Sequence, residues 1–409
     1  MISCFGDNYQ NCLFLLPSAR NKKLISLHFG PNRNHMKFSR RDWLRSASLA
    51  GGAAILTGTG AFNKLSAEEI RKFNPRPLDG PIRLGSNENP YGPSPKVRKA
   101  MQEAFDNSCR YPWGYNAPLV EMIAKKEGVT PDHIVLVAGS TEGLKITGIT
   151  YAGKGDEVIS GLPTFLSLMS YAETWGAEIN WVPLDKDMNY DLKEIEKRVS
   201  PKTKLVFLCN PNNPTGKLLP ANEVLDFCET VSKKTMVFSD EAYCDYIEDP
   251  NYPSMVKLVK EGKNIIVSKT LSKVYGLAGI RLGYLVARPD IAKTLSERVV
   301  ANTNIMAIEA GKAALQETEF YQFSLQKNLE TRKMIETTLD ELKLTYLPSQ
   351  ANFVFFHANQ DAKELAKTML AKGVIVGRPF PPFNDWCRVS TGTIEEVAYF
   401  NKVLKETLG

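Results

Sequence analysis

The chain has 409 residues, 43% hydrophobic and 23% charged, with 19 Phe, 15 Tyr and 5 Trp, enough apolar material for two core-bearing domains. Disorder, a collagen-like repeat and a multi-span membrane protein are excluded. The formal charge of +6 sits at the start: the first 67 residues carry nine Lys/Arg against two Asp/Glu, so the rest is near neutral, with no general affinity for polyanions.

From Lys37 the sequence reads KFSRRDWLRSASLAGGAAILTGTGAFNKLSA, with Arg40 and Arg41 adjacent and a weakly apolar, small-residue run from Ala47 to Ile55. The pattern resembles a twin-arginine export signal. It is too short and Gly-rich for a membrane anchor of ~20 apolar residues. Residues 1–67 are therefore read as a leader that sends the protein to the periplasm, with Met36 as a second candidate start and cleavage after Ala61 or Ala67. The alternative is a cytoplasmic protein with a basic amphipathic helix. Pro75, Pro77 and Pro81 then mark an N-terminal arm over 68–95.

Apolar β-type runs follow in order: IVLVA (134–138), EVISG (157–161), EINWVP (178–183), KLVFLC (204–209), TMVFS (235–239), NIIVS (264–268) and RLGYLVA (281–287). Helix-like segments at 163–175, 191–199 and 220–233 lie between them. This alternation predicts a mostly parallel sheet covered by helices on both faces, a large domain over 96–305. A long helical stretch from Ile305 toward Leu342 opens a smaller α/β domain over 306–409, with strands at NFVFF (352–356), VIV (374–376) and CRVST (387–391).

Cys4, Cys12, Cys109, Cys209, Cys228, Cys244 and Cys387 form no CxxC pair, and His28, His35, His133 and His357 are far apart. Neither a disulfide framework nor a His-rich metal site is expected. The chemistry-bearing clusters stand at strand ends instead. Gly-Ser-Thr-Glu-Gly (139–143) opens a helix after the first run, where backbone N–H groups can hold an anion. Asn-Pro-Asn-Asn-Pro-Thr-Gly (210–216), Asp-Glu-Ala-Tyr (240–243) and Ser-Lys-Thr-Leu-Ser-Lys (268–273) follow three later runs. Each alone reads equally as turn, cap or solvated lysine. Four at successive strand ends mark a ligand site at the carboxyl edge of a parallel sheet.

With LGSNENPYGPSP (84–95), RYP (110–112), PTF (163–165), TLSKVYGLAGIRLGY (270–284), ANFVFF (351–356) and CRVSTG (387–392), these clusters make the chain resemble the pyridoxal-phosphate (PLP) aminotransferases of fold type I. Within them it is similar to the histidinol-phosphate aminotransferase-like group. The resemblance covers roughly 80–409 and implies an α/β fold of PLP transferase type I, with a mostly parallel central sheet in a large domain and a smaller α/β domain. Lys273 matches the lysine that carries the cofactor and shuttles the Cα proton, with Arg281 eight residues on as a phosphate ligand. Lys269 is the rival and lacks an arginine at that offset. Asp240 matches the pyridinium partner, Asn213 and Tyr243 the partners of the ring oxygen, and Phe165 the stacking ring. Ser140, Thr141, Thr270 and Ser272 complete the phosphate cradle, and Tyr111 is implied to reach it from the other subunit of a homodimer.

Arg388 matches the arginine that grips the substrate's anionic end, with Asn87, Asn352 and Arg378 beside it. Two departures bear on substrate. Gly377 stands where GVIV normally runs into an arginine, with Arg378 one place later, and the arm FNPRPLDG lacks the group's phosphate-contacting tyrosine. The expected reaction is amino transfer between an amino acid, aromatic or bulky and apolar, and a 2-oxo acid by a ping-pong cycle. Phe380, Phe383 and Trp386 are expected to line that side-chain pocket or else to be core. Histidinol phosphate as substrate, a PLP lyase or decarboxylase, and a non-catalytic PLP sensor are the alternatives.

Overall fold

The computed structural model describes Phe73 and residues 80–409, so the leader expected over 1–67 lies outside the described residues. The strands are β1 (Ile82–Arg83), β2 (Ile134–Val137), β3 (Glu157–Leu162), β4 (Glu178–Pro183), β5 (Thr203–Cys209), β6 (Met236–Asp240), β7 (Ile265–Thr270), β8 (Gly283–Ala287), β9 (Tyr346–Leu347), β10 (Phe353–His357), β11 (Val374–Ile375) and β12 (Trp386–Ser390). Strands β2 to β8 form one sheet in the order β2-β8-β7-β6-β5-β3-β4. It is parallel from β7 through β4, while β8 runs antiparallel to both its neighbours. Every residue of β7 and β8 is buried, as expected for strands covered on both faces, whereas edge strand β4 is largely half-exposed.

Helices are placed by local chemistry. Ser94 accepts the N–H of Val97 at the start of Pro95–Ala104, whose leading proline has its φ preset for a first turn. Asp191 caps Leu192–Arg198, and Thr393 with Glu396 forms a capping box on Ile394–Leu408. Such caps are worth about 1 kcal/mol each. Among the described residues no helix is long and apolar enough to cross a membrane.

The helical stretch expected from 305 to 342 is two helices, Ile305–Leu315 and Thr318–Glu341. At the break Glu317 turns inward and accepts a hydrogen bond from Ser94. Buried side chains of the first helix join the core of the large sheet. The expected strand at 281–287 begins only at Gly283, which leaves Arg281 in the loop before it.

A second core lies around an antiparallel sheet, β12-β10-β9. Alternation sorts its residues: Val354, Phe356, Cys387 and Val389 face this core, so Phe353, Phe355, Arg388 and Ser390 face the opposite way. The described chain's two ends meet here, since β1 pairs in parallel with β11 and Leu84 is buried in the same core.

Candidate active site

Strands β2, β3, β5, β6 and β7 all end at one edge of the sheet, and antiparallel β8 starts there, with Gly283 opposite both Val137 and Thr270. Chain reversal thus brings Arg281 to the edge where Ser140, Phe165, Asn213, Asp240 and Lys273 emerge.

At the first strand end Gly139, at φ +75°, turns the chain into the helix Ser140–Tyr151, so Ser140 and Thr141 supply its leading N–H groups. The Arg281 guanidinium lies over this turn, donating to Ala138 O at 3.2 Å and Ala278 O at 2.8 Å. At that φ any side chain would be strained, and a Cβ on Gly139 would also stand 2.3 Å from Arg281 Nη2. Arg281 itself holds φ 62°, a left-handed conformation uncommon for any residue other than glycine. Thr270 Oγ1 accepts the N–H of Ser272 at 3.1 Å and donates to its hydroxyl at 2.9 Å. A helix N-terminus, paired hydroxyls and a guanidinium make a donor set that suits a phosphate dianion.

The two lysines separate cleanly. Lys269 is sealed in an ion-pair cluster, 2.7 Å from Glu127 and 3.6 Å from Glu241, with the Tyr284 hydroxyl donating to Glu127 at 2.7 Å. Burial opposes its charge, but Cys244 and these carboxylates outweigh it and push its pKa up. Lys273 instead donates to the carbonyl of Asn87 at 3.0 Å and lies 5.3 Å from the centre of the Tyr243 ring. Burial and the nearby Arg388 pull its pKa down to about 8. An amine whose pKa is lowered this far gives up its proton more readily than an ordinary lysine, as a nucleophile and proton shuttle must.

Asp240 ends β6, is 2% exposed, and its Oδ1 has no hydrogen-bond partner. Burial raises its carboxyl to about 7 against help from the Ala242 N–H and Lys273. An orphaned carboxylate oxygen of this kind fits a protonated ring nitrogen. Tyr243 accepts hydrogen bonds from Asn87 at 2.9 Å and from Asn213 at 3.4 Å, its hydroxyl kept protonated mainly by burial. Asn87 is itself held by Ser390, whose hydroxyl accepts its N–H at 2.8 Å and donates to its Oδ1 at 2.9 Å. Phe165 is half-buried beside Thr164 at the end of β3.

Arg388, 7% exposed, donates to Asn213 Oδ1 and to Gly85 O, both at 2.6 Å, while its Nε has no partner. It lies 5.5 Å from the ring centre of Phe353 and 5.0 Å from that of Phe380. Arg378 is exposed and stacks on the same Phe380 ring at 4.4 Å. Gly377 has no room for a side chain, since a Cβ would meet the Arg388 carbonyl at 2.7 Å. Asn352, 1% exposed, donates to Glu88 O at 3.4 Å with its Oδ1 unpartnered. Of the three aromatics, Phe380 abuts Arg388, Phe383 bridges to Phe380, and Trp386 packs on His357 and on Phe355, whose ring also meets Phe380.

Tyr111 does not join this group. It is 77% exposed, rests on Trp113 at 6.0 Å, and lines a surface cavity of about 390 Å³ with Asn302, Asn304 and Met306. Sequence reasoning missed Asn89, which ties the lysine loop in place by donating to Val274 O at 2.8 Å and to Ser324 at 3.0 Å. The available signal was the NENP segment at 87–90, in which Asn89 itself stands. Among the described residues no group of His, Cys, Asp and Glu could hold a metal ion.

A family model, aminotransferase class I and II, matches residues 79–404, a span holding every strand above. The chain belongs to this family. It is similar to the histidinol-phosphate aminotransferase of Caldicellulosiruptor saccharolyticus, 37% identical over 334 residues, 81% of this chain and 93% of the relative. That of Moorella thermoacetica is 38% identical over 331 residues, 80% of this chain and 85% of the relative. The solved histidinol-phosphate aminotransferase of Sinorhizobium meliloti in complex with pyridoxal 5'-phosphate superimposes with TM-score 0.75 at 25% identity, covering 87% of this chain and 99% of that one. The aminotransferase is a PLP enzyme of fold type I, and the orphaned carboxylate, low-pKa lysine and phosphate cradle fit that cofactor. When bound, PLP supplies an electron sink for the Cα carbanion.

Proposed function

We propose that this aminotransferase moves an amino group from an aromatic or bulky apolar L-amino acid to a 2-oxo acid, with Arg388 holding the substrate carboxylate. The observation that carries this reading is the surroundings of Arg388: a single buried guanidinium with a free Nε, walled by Phe353 and Phe380. One fork satisfies one carboxylate, and the rings offer an apolar face to a side chain. Lys273 carries the cofactor and moves the Cα proton, Asp240 keeps the ring nitrogen protonated, and Asn213 with Tyr243 holds the ring oxygen. Phe165 stacks on the ring. Ser140, Thr141, Thr270, Ser272 and Arg281 bind the phosphate, while Asn87 and Asn352 border the substrate.

Histidinol phosphate is the second reading, favoured by the names of the relatives and by Arg378, whose guanidinium shares the Phe380 ring with Arg388. Comparing kcat/KM for phenylalanine, leucine, histidine, aspartate and histidinol phosphate decides. The first reading expects phenylalanine to lead with a broad preference, because one methylene in such a pocket changes binding by only ~1–3 kcal/mol. A clear lead for histidinol phosphate establishes the second, and a lead for aspartate removes the apolar pocket.

Two wider features belong to the same proposal. Exposed Tyr111 and Trp113 suit burial against a second copy of this chain, with Tyr111 reaching the partner's phosphate cradle. Arg40 and Arg41 suit export of the folded, cofactor-loaded protein to the periplasm. Changing both to lysine is then expected to leave active enzyme in the cytoplasmic fraction. Equal distribution of wild type and variant overturns the export route.

A further inference from the structure

We infer that Tyr190 is a positioning residue of the cofactor cage, its hydroxyl fastening the loop that carries Phe165 to the loop that carries Asn213. The inference rests on the roles proposed above for those two residues. Sequence gives no hint of it, because a tyrosine after an apolar strand reads as core.

The geometry starts from a tight turn after β4. Asp185 Oδ1 accepts the N–H groups of Asp187 and Asn189 at 2.8 and 2.9 Å, and this delivers Tyr190 into the interior, where it is 4% exposed. Its ring is wedged against Gly161, where a Cβ would stand 2.2 Å from the Tyr190 Cδ1. The ring thus fills the space that a side chain at 161 would occupy, and packing on that glycine sets where the hydroxyl sits.

That hydroxyl meets three segments at once. It accepts the N–H of Cys209 at 3.2 Å, donates to Asn212 Oδ1 at 2.9 Å, and lies 2.6 Å from Thr164 Oγ1. Thr164 also donates to Asn212 Oδ1 at 3.0 Å, closing a triangle. The Asn212 amide donates back to Pro163 O at 3.1 Å and to Thr215 at 3.2 Å. Each anchored residue adjoins a member of the cage: Thr164 precedes Phe165, Asn212 precedes Asn213, and Cys209 is the register partner of Asp240. Burial holds the Tyr190 hydroxyl protonated, so it remains a donor across the working pH range.

Removing one hydroxyl leaves the Cys209 N–H without its acceptor and the Asn212 oxygen with one donor fewer, while packing stays intact. The loop at 210–216 then loosens, and with it the hold of Asn213 on the ring oxygen. A weaker donor there destabilises the oxygen anion, so the pH midpoint of the bound cofactor's visible absorbance moves upward.

The test is a pH titration of that absorbance in wild-type holoenzyme, Tyr190→Phe, Thr164→Val and Asn213→Ala, with thermal midpoints measured in parallel. The expected result is an upward shift of about 0.5 pH unit in Tyr190→Phe, in the same direction for Thr164→Val and larger for Asn213→Ala. If Asn213→Ala shifts the midpoint and Tyr190→Phe lowers only the thermal midpoint, Tyr190 is merely structural and the proposal fails alone. If neither variant moves the absorbance, the role given to Asn213 fails and takes the positioning role with it.

Discussion

Lys273→Ala is expected to lower kcat by at least about 10³-fold while the folded protein still retains PLP by its phosphate. The amine is the group that must carry the cofactor and move the Cα proton, and alanine leaves the cradle around Ser140, Thr270 and Arg281 untouched. Lys269→Ala is expected to act differently. Removing Lys269 strands Glu127 and Glu241 as buried carboxylates without their shared cation, so stability falls first. Lys273→Ala also tests the proposed homodimer. When inactive Lys273→Ala subunits are mixed with Tyr111→Ala subunits, heterodimers contain one site with both residues intact, and about a quarter of wild-type activity returns on random pairing. No recovery contradicts a site completed by Tyr111 of a partner subunit.

Asp240→Asn is expected to lower kcat by about 10²- to 10³-fold, since an amide does not keep the ring nitrogen protonated. Its effect on stability has the opposite sign. The ordinary carboxyl value is 3.8 and burial raises it to about 7 in the folded protein. The folded state thus binds the proton more tightly than the unfolded state. The stability contributed is full below the ordinary value and is lost as pH rises through about 7. Lys273, whose folded value is about 8 against an ordinary 10.5, stays largely charged in that window. Cofactor-free wild type should therefore lose stability between pH 5 and about 7, by about 2 kcal/mol, and cofactor-free Asp240→Asn should not. Thermal midpoints of both proteins across that range check this, and parallel curves contradict it.

These two residues were legible in the sequence because one closes its strand and the other stands three residues beyond the end of its own, and local order carries the placement. EINWVP forms β4 over the expected residues, and SDEAY puts Asp240 at the last position of β6. What the sequence hides is direction and distance. RLGYLVA is equally apolar whichever way it runs, so nothing local reveals that β8 is antiparallel, although that reversal is what brings Arg281 to the site. The pairing of β1 with β11 joins residues 82 and 374, and the capture of Asn89 by Val274 and Ser324 is equally remote. The break after Leu315 is invisible for the same reason: Glu317 is drawn inward by Ser94, more than two hundred residues earlier. Hydrogen bonds that position the site residues depend on the assembled fold, whereas the residues themselves sit in short motifs.

Borohydride reduction of the purified holoenzyme, followed by mass mapping of its peptides, tests the site most directly. The geometry predicts a pyridoxyl group on Lys273, the amine with the lowered pKa at the sheet edge. A label on Lys269, or on no lysine, contradicts it.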